Sequence, residues 1–274
     1  MLNLNKVSKF IPLLDSGYFF SNKKTGGAAV DFRLCPLMNL VAKSPKVKVE
    51  SPKCAGCYSA NVINIYKNVG NKIINLPDTK DEGQLKKFES DCAMLKAMFP
   101  AFKRLRFYAL ADFHKDDIPY IKAASQYFTV DIISKTLVRK HNEPYLRELF
   151  NLPNVWVSLS FNKDYLKGLL RIKTLLATEK PSNVNMNYTL NYRDENPDDS
   201  FFDHFQVFHL KNDDKRGGLD KFERLTNHNV CAIFGRDGEP VKAKGTCDKC
   251  NICHVSYTQY MDGQRAKPPQ RAVA

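Results

Sequence analysis

From Leu105 onward the chain repeats one kind of unit. Short runs rich in β-branched and aromatic residues, RFYALAD, FTVDIIS, NVWVSLSF, NVNMNYTLNY, HFQVFHL and NVCAIF, alternate with stretches of helical periodicity. The runs read as strands, and the intervals between them are long enough for crossover connections to a parallel neighbour. Such crossovers are right-handed and lay their helices against the sheet. The alternation therefore predicts an α/β protein: a partial (β/α) barrel or an open parallel sheet, with cysteine-rich N- and C-terminal segments. Six runs fall short of a closed barrel, which needs eight strands.

Helices are predicted over 117–127, 143–150, 163–178 and 219–227, and another before the series, where Leu85, Phe88, Cys92, Leu95 and Phe99 recur at helical spacing. The segment SANVINIYKNVGNKI, after Cys57, also reads as a helix. The expected division is an N-terminal segment over 1–104, a repeating core over 105–235, a cysteine motif over 236–257 and a polar, disordered tail over 258–274.

Each expected strand runs into polar residues, and in α/β folds ligands sit at the carboxyl ends of the strands, where the βα loops converge. Asp112, Lys135, Ser160 and Asn191 are the candidates for lining a cavity there. Carboxylate pairs such as Asp116 and Asp117 read as helix caps and loop charges.

The cysteines carry the sharpest chemical signal. Seven of the eight form two groups: Cys35, Cys54 and Cys57 before the αβ repeat, then Cys231 in its last run with Cys247, Cys250 and Cys253 after it. Cys92 stands apart on the apolar stripe of its helix and reads as a buried core thiol. The run TCDKCNICH gives C-x2-C-x2-C spacing, three thiols around one centre with room for a remote fourth, which Cys231 supplies. Iron–sulfur clusters and zinc are both held by such sets, and spacing alone does not choose between them. His254 is an alternative ligand. The first group has three thiols and no evident fourth ligand. That fits a cluster with one open iron, or a site completed from elsewhere in the chain.

Composition sets the surroundings. The chain has 274 residues, is 43% hydrophobic and 26% charged, and shows no apolar run of the roughly 20 residues that span a bilayer. With no recognisable signal peptide, the expectation is a cytoplasmic protein, with no membrane partner and with its thiols reduced and free to bind metal. A net charge of +13 favours nucleic acid or another phosphate-bearing partner, although the basic residues are scattered. No P-loop, nucleophile elbow, H-E-x-x-H motif or Rossmann fingerprint is present.

In order, the motifs CP at Cys35, C-x2-CY at Cys54 and Cys57, ALADF, IISKT, NVWVSLSFN and the terminal cysteine run resemble those of the phage "gene product eighty-eight" family. The likeness covers Cys35 to about Cys253, with ALADF where the family has SGDF. It implies a virus-encoded protein, in the cytoplasm of the host cell, that binds an iron–sulfur cluster, most simply 4Fe–4S. The architecture is also similar, more distantly, to that of radical S-adenosylmethionine enzymes with an auxiliary cluster. Their C-x3-C-x2-C hallmark is absent, because Cys35 lies far upstream of Cys54. That likeness implies S-adenosylmethionine as a further cofactor, with Cys35, Cys54 and Cys57 on the open cluster. The competing expectation is a structural zinc protein with affinity for nucleic acid.

Overall fold

The structure, a computed structural model, describes residues 4–22, 27–33, 67–161, 168–191, 204–208 and 229–230. The described strands form a single sheet, and all but one of its ladders are parallel. Strands β1 (Phe19–Asn22) and β2 (Gly27–Val30) pair antiparallel. From β2 the sheet continues in parallel through β3 (Arg104–Phe107), β4 (Thr129–Ser134), β5 (Val155–Phe161), β6 (Val184–Asn191), β7 (His204–Phe208) and β8 (Asn229–Val230). The order in space is the order in sequence, eight strands in all, and no ladder among the described residues joins β8 to β1. All six strands expected from the repeat are present. The hairpin in front of them, β1 and β2, was not expected.

Six helices belong to the described chain: α1 (Leu4–Phe10), α2 (Lys67–Ile74), α3 (Gln84–Met98), α4 (Ile118–Ser125), α5 (Glu143–Phe150) and α6 (Leu169–Glu179). Helix α5 has the predicted bounds, and α3 carries the predicted stripe, with Phe88, Cys92 and Leu95 fully buried. Proline at the first turn helps start α4 and α5, where its missing N–H costs nothing. Lys180, in the left-handed region at φ 47°, ends α6 before Pro181. The helix predicted over 219–227 lies outside the described residues, as do the start of the one predicted over 163–178 and the tail.

Sequential parallel order has a geometric consequence. Right-handed crossovers that always step the same way place their helices on the same face of the sheet. That face is apolar: Leu105, Phe107, Val130, Ile132, Val157, Leu159, Val184 and Met186 share one core with Leu95 of α3, Ile121 of α4, Leu146 and Leu149 of α5, and Ile172 and Leu176 of α6. An aromatic cluster locks α3 and α4 to β2 and β3. Phe32 packs on Tyr120 at 4.8 Å, and Phe88 lies 5.3 Å from Tyr120 and 5.8 Å from Phe32. The N-terminal segment is tied down by Asp91 of α3, whose buried carboxylate accepts the backbone N–H groups of Asp15 and Ser16 at 2.9 and 2.8 Å.

Candidate functional site

Side chains alternate across a strand, so residues between the apolar ones point to the opposite face. There the registers build rows of polar residues. Arg106 of β3 stands between Ala29 of β2 and Asp131 of β4, and Asp131 is next to Trp156 of β5. Toward the carboxyl ends, Ile133, Ser158 and Asn185 form a second row, and Ser160 and Asn187 a third, in register with His204 and Asn229. Arg104, Arg106, Asp131 and Trp156 are half-buried, and the face is dry toward β6. Ser158 is 7% exposed, Ser160 3%, Asn185 1% and Asn187 0%.

Polar groups taken out of water normally find partners. Here several do not: neither amide atom of Asn187, nor Nε of Arg106, has a hydrogen-bond partner among the described residues. Asp31, just past β2 on the same face as Ala29, is the acidic counterpart. Its Oδ1 accepts the backbone N–H groups of Leu110 and Ala111 at 3.0 and 2.9 Å, whereas its buried Oδ2 has no partner among the described residues. Burial raises the Asp31 carboxyl to about 6, against the pull of those N–H groups and of Arg106. Burial likewise raises Asp131 to about 6, opposed by Arg104 and Arg106. The face thus holds two carboxylic acids poised close to neutrality, two guanidinium groups between them, and amide and hydroxyl groups toward the carboxyl end. Shifted acids beside fixed cations are able to give up or take a proton near neutral pH.

The raised Asp31 has a consequence for stability. Its folded-state value lies above its unfolded one, so its contribution is complete below pH 4 and is lost as the pH rises through 6. About two units correspond to roughly 3 kcal/mol. Asp31→Asn should remove that part of the decline, leaving a flatter dependence of unfolding free energy on pH between 4 and 7 in urea titrations. Parallel curves for variant and parent would show that Asp31 ionises in the fold without penalty.

The four cavity candidates from sequence fall in different settings. Asp112 and Lys135 meet, but through backbone: the Asp112 carboxylate accepts the N–H of Lys135 at 3.2 Å, Ser134 Oγ at 2.5 Å and Thr136 Oγ1 at 3.0 Å. Its oxygens are engaged in shaping the turn after β4, a structural task. Ser160 lies on the buried polar face. Asn191 is the last residue of β6, in register with Phe208. Cys35, Cys54, Cys57, Cys231, Cys247, Cys250 and Cys253, and His254, lie outside the described residues. Cys92 is buried in the core of α3, and burial, with Asp91 and Glu89 nearby, pushes its thiol well up, as an inert packing group requires. No cluster of three or more metal-ligating side chains occurs among the described residues.

A second polar cluster sits at the carboxyl ends of β2 and β3. Arg33 donates to Asp117 Oδ1 at 2.5 Å and to Thr79 Oγ1 at 2.9 Å. Asp117 Oδ2 accepts Tyr108 Oη at 3.0 Å and the His114 N–H at 3.1 Å. Asp117 does cap the helical turn, as expected, but its partners make it more than a cap. Burial pushes its carboxyl up to about 7 against the pull of Arg33, Tyr108 and His114. Tyr108 has φ 65°, a conformation that a bulky side chain adopts only when its surroundings impose it. That turn ends β3 at Phe107, so the expected strand RFYALAD stops short of its second half. A cleft of about 300 Å³ opens beside Arg33, walled by Phe32, Ile73, Leu76, Pro77 and Thr79. Asp31, Arg33, Arg106, Asp131, Asn185 and Asn187 were not singled out by the sequence.

Compared with family models, with curated proteins and with solved structures, the chain has no match in any of the three. Among the described residues no helix is long and apolar enough to cross a membrane.

Proposed function

We propose that the chain is a virus-encoded iron–sulfur protein of the phage type its motifs resemble. Cys247, Cys250, Cys253 and Cys231 hold a 4Fe–4S cluster, and the sheet curls into a partial (β/α) barrel around the polar face. The observation that carries this reading is where the cysteine-bearing segments join the sheet. Cys231 is the residue after Val230, the end of β8, and Cys35 comes two residues after Arg33, beyond the end of β2. Both groups enter the chain at carboxyl ends of strands, where an α/β fold places its chemistry. Curling is supported by the burial of Ser158, Ser160, Asn185 and Asn187: an open sheet with its helices on the other side would leave them to water.

In this reading the cluster supplies electrons for a redox step, or for a radical step on S-adenosylmethionine if Cys35, Cys54 and Cys57 hold a second cluster with an open iron. The chain's own residues do the rest. Ser158, Ser160, Asn185 and Asn187 orient a substrate, and Asp31 and Asp131 hold or accept protons. Phosphate-bearing or nucleic-acid partners are favoured by the net charge of +13.

Anaerobically purified protein should be brown and contain iron and acid-labile sulfide in equal amounts, with the Mössbauer signature of a cubane cluster. Colourless protein with stoichiometric zinc would replace this reading with a structural zinc site. Formation of 5'-deoxyadenosine from S-adenosylmethionine by the reduced protein separates a radical enzyme from an electron carrier.

A further inference from the structure

The cleft beside Arg33 has a chemistry of its own, whatever metal the cysteines hold. It encloses about 300 Å³, room for a small organic molecule. Phe32 and Ile73, each 2% exposed, line it together with the half-buried Leu76 and Pro77. Two buried tyrosines hold the loop after α2 that borders it: Tyr18 Oη donates to the Pro77 carbonyl at 3.3 Å, and Tyr120 Oη to the Thr79 carbonyl at 2.8 Å. A wall fixed in advance spares a ligand the cost of ordering it. Two opposite charges line this cleft without neutralising each other. Arg33 pairs with Asp117, and Lys80 with Asp116, rather than with Asp78. Both hydrogen bonds that Arg33 makes to described residues leave from Nη2, so the N–H groups of Nε and Nη1 remain for a ligand, and the side chain is 31% exposed. Asp78 is exposed, and its Oδ1 accepts the Lys80 N–H at 3.0 Å. A cation and an anion held apart beside apolar walls match a ligand that carries both charges on one carbon with an apolar group attached. A ligand with a single charge would leave the other group of the cleft unmatched.

We infer that the cleft is a binding site for a free α-amino acid with an apolar side chain. Arg33 takes the carboxylate, Asp78 takes the ammonium group, and Phe32, Ile73, Leu76 and Pro77 receive the side chain. A guanidinium group with two adjacent N–H donors is suited to a carboxylate, which it meets through parallel hydrogen bonds.

Calorimetry on the full chain tests this with leucine, isoleucine and phenylalanine as probes. Isocaproate and isoamylamine are controls that carry one of the two charges each, and glycine is a control that lacks the side chain. At least one of the probes should bind saturably, and about tenfold or more tighter than glycine, because its side chain leaves water. Arg33 also holds the fold together, so the decisive variant is at Asp78. Asp78→Asn keeps an acceptor for the Lys80 N–H and removes the charge. It should weaken the amino acid by about threefold or more, as loss of an exposed ion pair does, while isocaproate binds no more weakly than to the parent. Ile74→Trp, at a half-buried position lining the cleft, should fill the space and weaken both ligands. In proton–nitrogen spectra the Arg33 Nε–H resonance should move on saturation with the amino acid. The inference is overturned if no probe binds at millimolar concentration, or if isocaproate or isoamylamine binds as tightly as the amino acid. It is also overturned if Asp78→Asn leaves the amino acid's affinity unchanged, or lowers it and that of isocaproate equally, because Asp78 would then not be reading the ammonium group.

Discussion

Replacing Arg33 with alanine is expected to destabilise the fold by about 3–5 kcal/mol, the range found when one partner of a buried ion pair is removed. The asymmetry of the pair sets the size of the effect. The Asp117 side chain is 0% exposed and that of Arg33 31%, so the variant leaves a carboxylate in the interior with only Tyr108 Oη and the His114 N–H to solvate it. The carboxyl would respond by taking a proton, so the loss should be largest at high pH and shrink as the pH falls below the folded-state value of about 7. Arg33→Lys should recover part of the loss, since an ammonium group restores the positive charge but on a shorter side chain than the one whose Nη2 reaches both Asp117 and Thr79. Urea unfolding at two pH values measures both effects. A change below about 1 kcal/mol, or one independent of pH, would show that Asp117 is already neutral and that the pair is a hydrogen bond without charge.

The six parallel strands and the helix with the Cys92 stripe were legible because each signal is local: a bounded apolar run, or apolar residues at helical spacing. The hairpin of β1 and β2 was not, for a physical reason. GAAV has a glycine and two alanines, poor strand formers, and it is a strand because it pairs with β1 and β3 and packs under Phe19 and Phe107. The end of β3 was overrun for a related reason. The apolar pattern continues through Tyr108 and Leu110, but Tyr108 turns into the left-handed region, held there by its N–H to Val30 and its hydroxyl to Asp117.

The polar face shows a subtler limit. The alternations RLRF, TVDIIS and VWVSLSF are visible in the sequence and read as strands. That Ser160 and Asn187 on this face are buried depends on long-range packing, which no single strand encodes. Arg33 and Asp117 are 84 residues apart, and Asp31 meets the loop after β3 across 79, so neither contact leaves a local trace. The reverse holds for Asp112. Its place at a strand end suggested chemistry, and its hydrogen bonds assign it to the turn.

The cysteines set the other large expected effect, total loss of metal from single substitutions. Cys231→Ala should empty the cluster site as completely as Cys247→Ala, Cys250→Ala or Cys253→Ala, although it is 16 residues from the run. A cubane with one iron deprived of its thiolate exchanges that iron and is quickly lost in air, and in the proposed reading Cys231, next in sequence to the end of β8, is one of the four ligands. Cys92→Ala is the control: it opens a cavity in the α3 core and should cost about 1–3 kcal/mol of stability while iron and sulfide per chain stay at the parent's value. The pattern across the first group decides how many centres there are. If Cys35→Ala, Cys54→Ala and Cys57→Ala each lower iron by half, the chain holds two clusters. If each abolishes it, both groups ligate one. Iron retained in Cys231→Ala would remove the tie between the cluster and β8, and with it the placement of redox chemistry at the carboxyl end of the sheet.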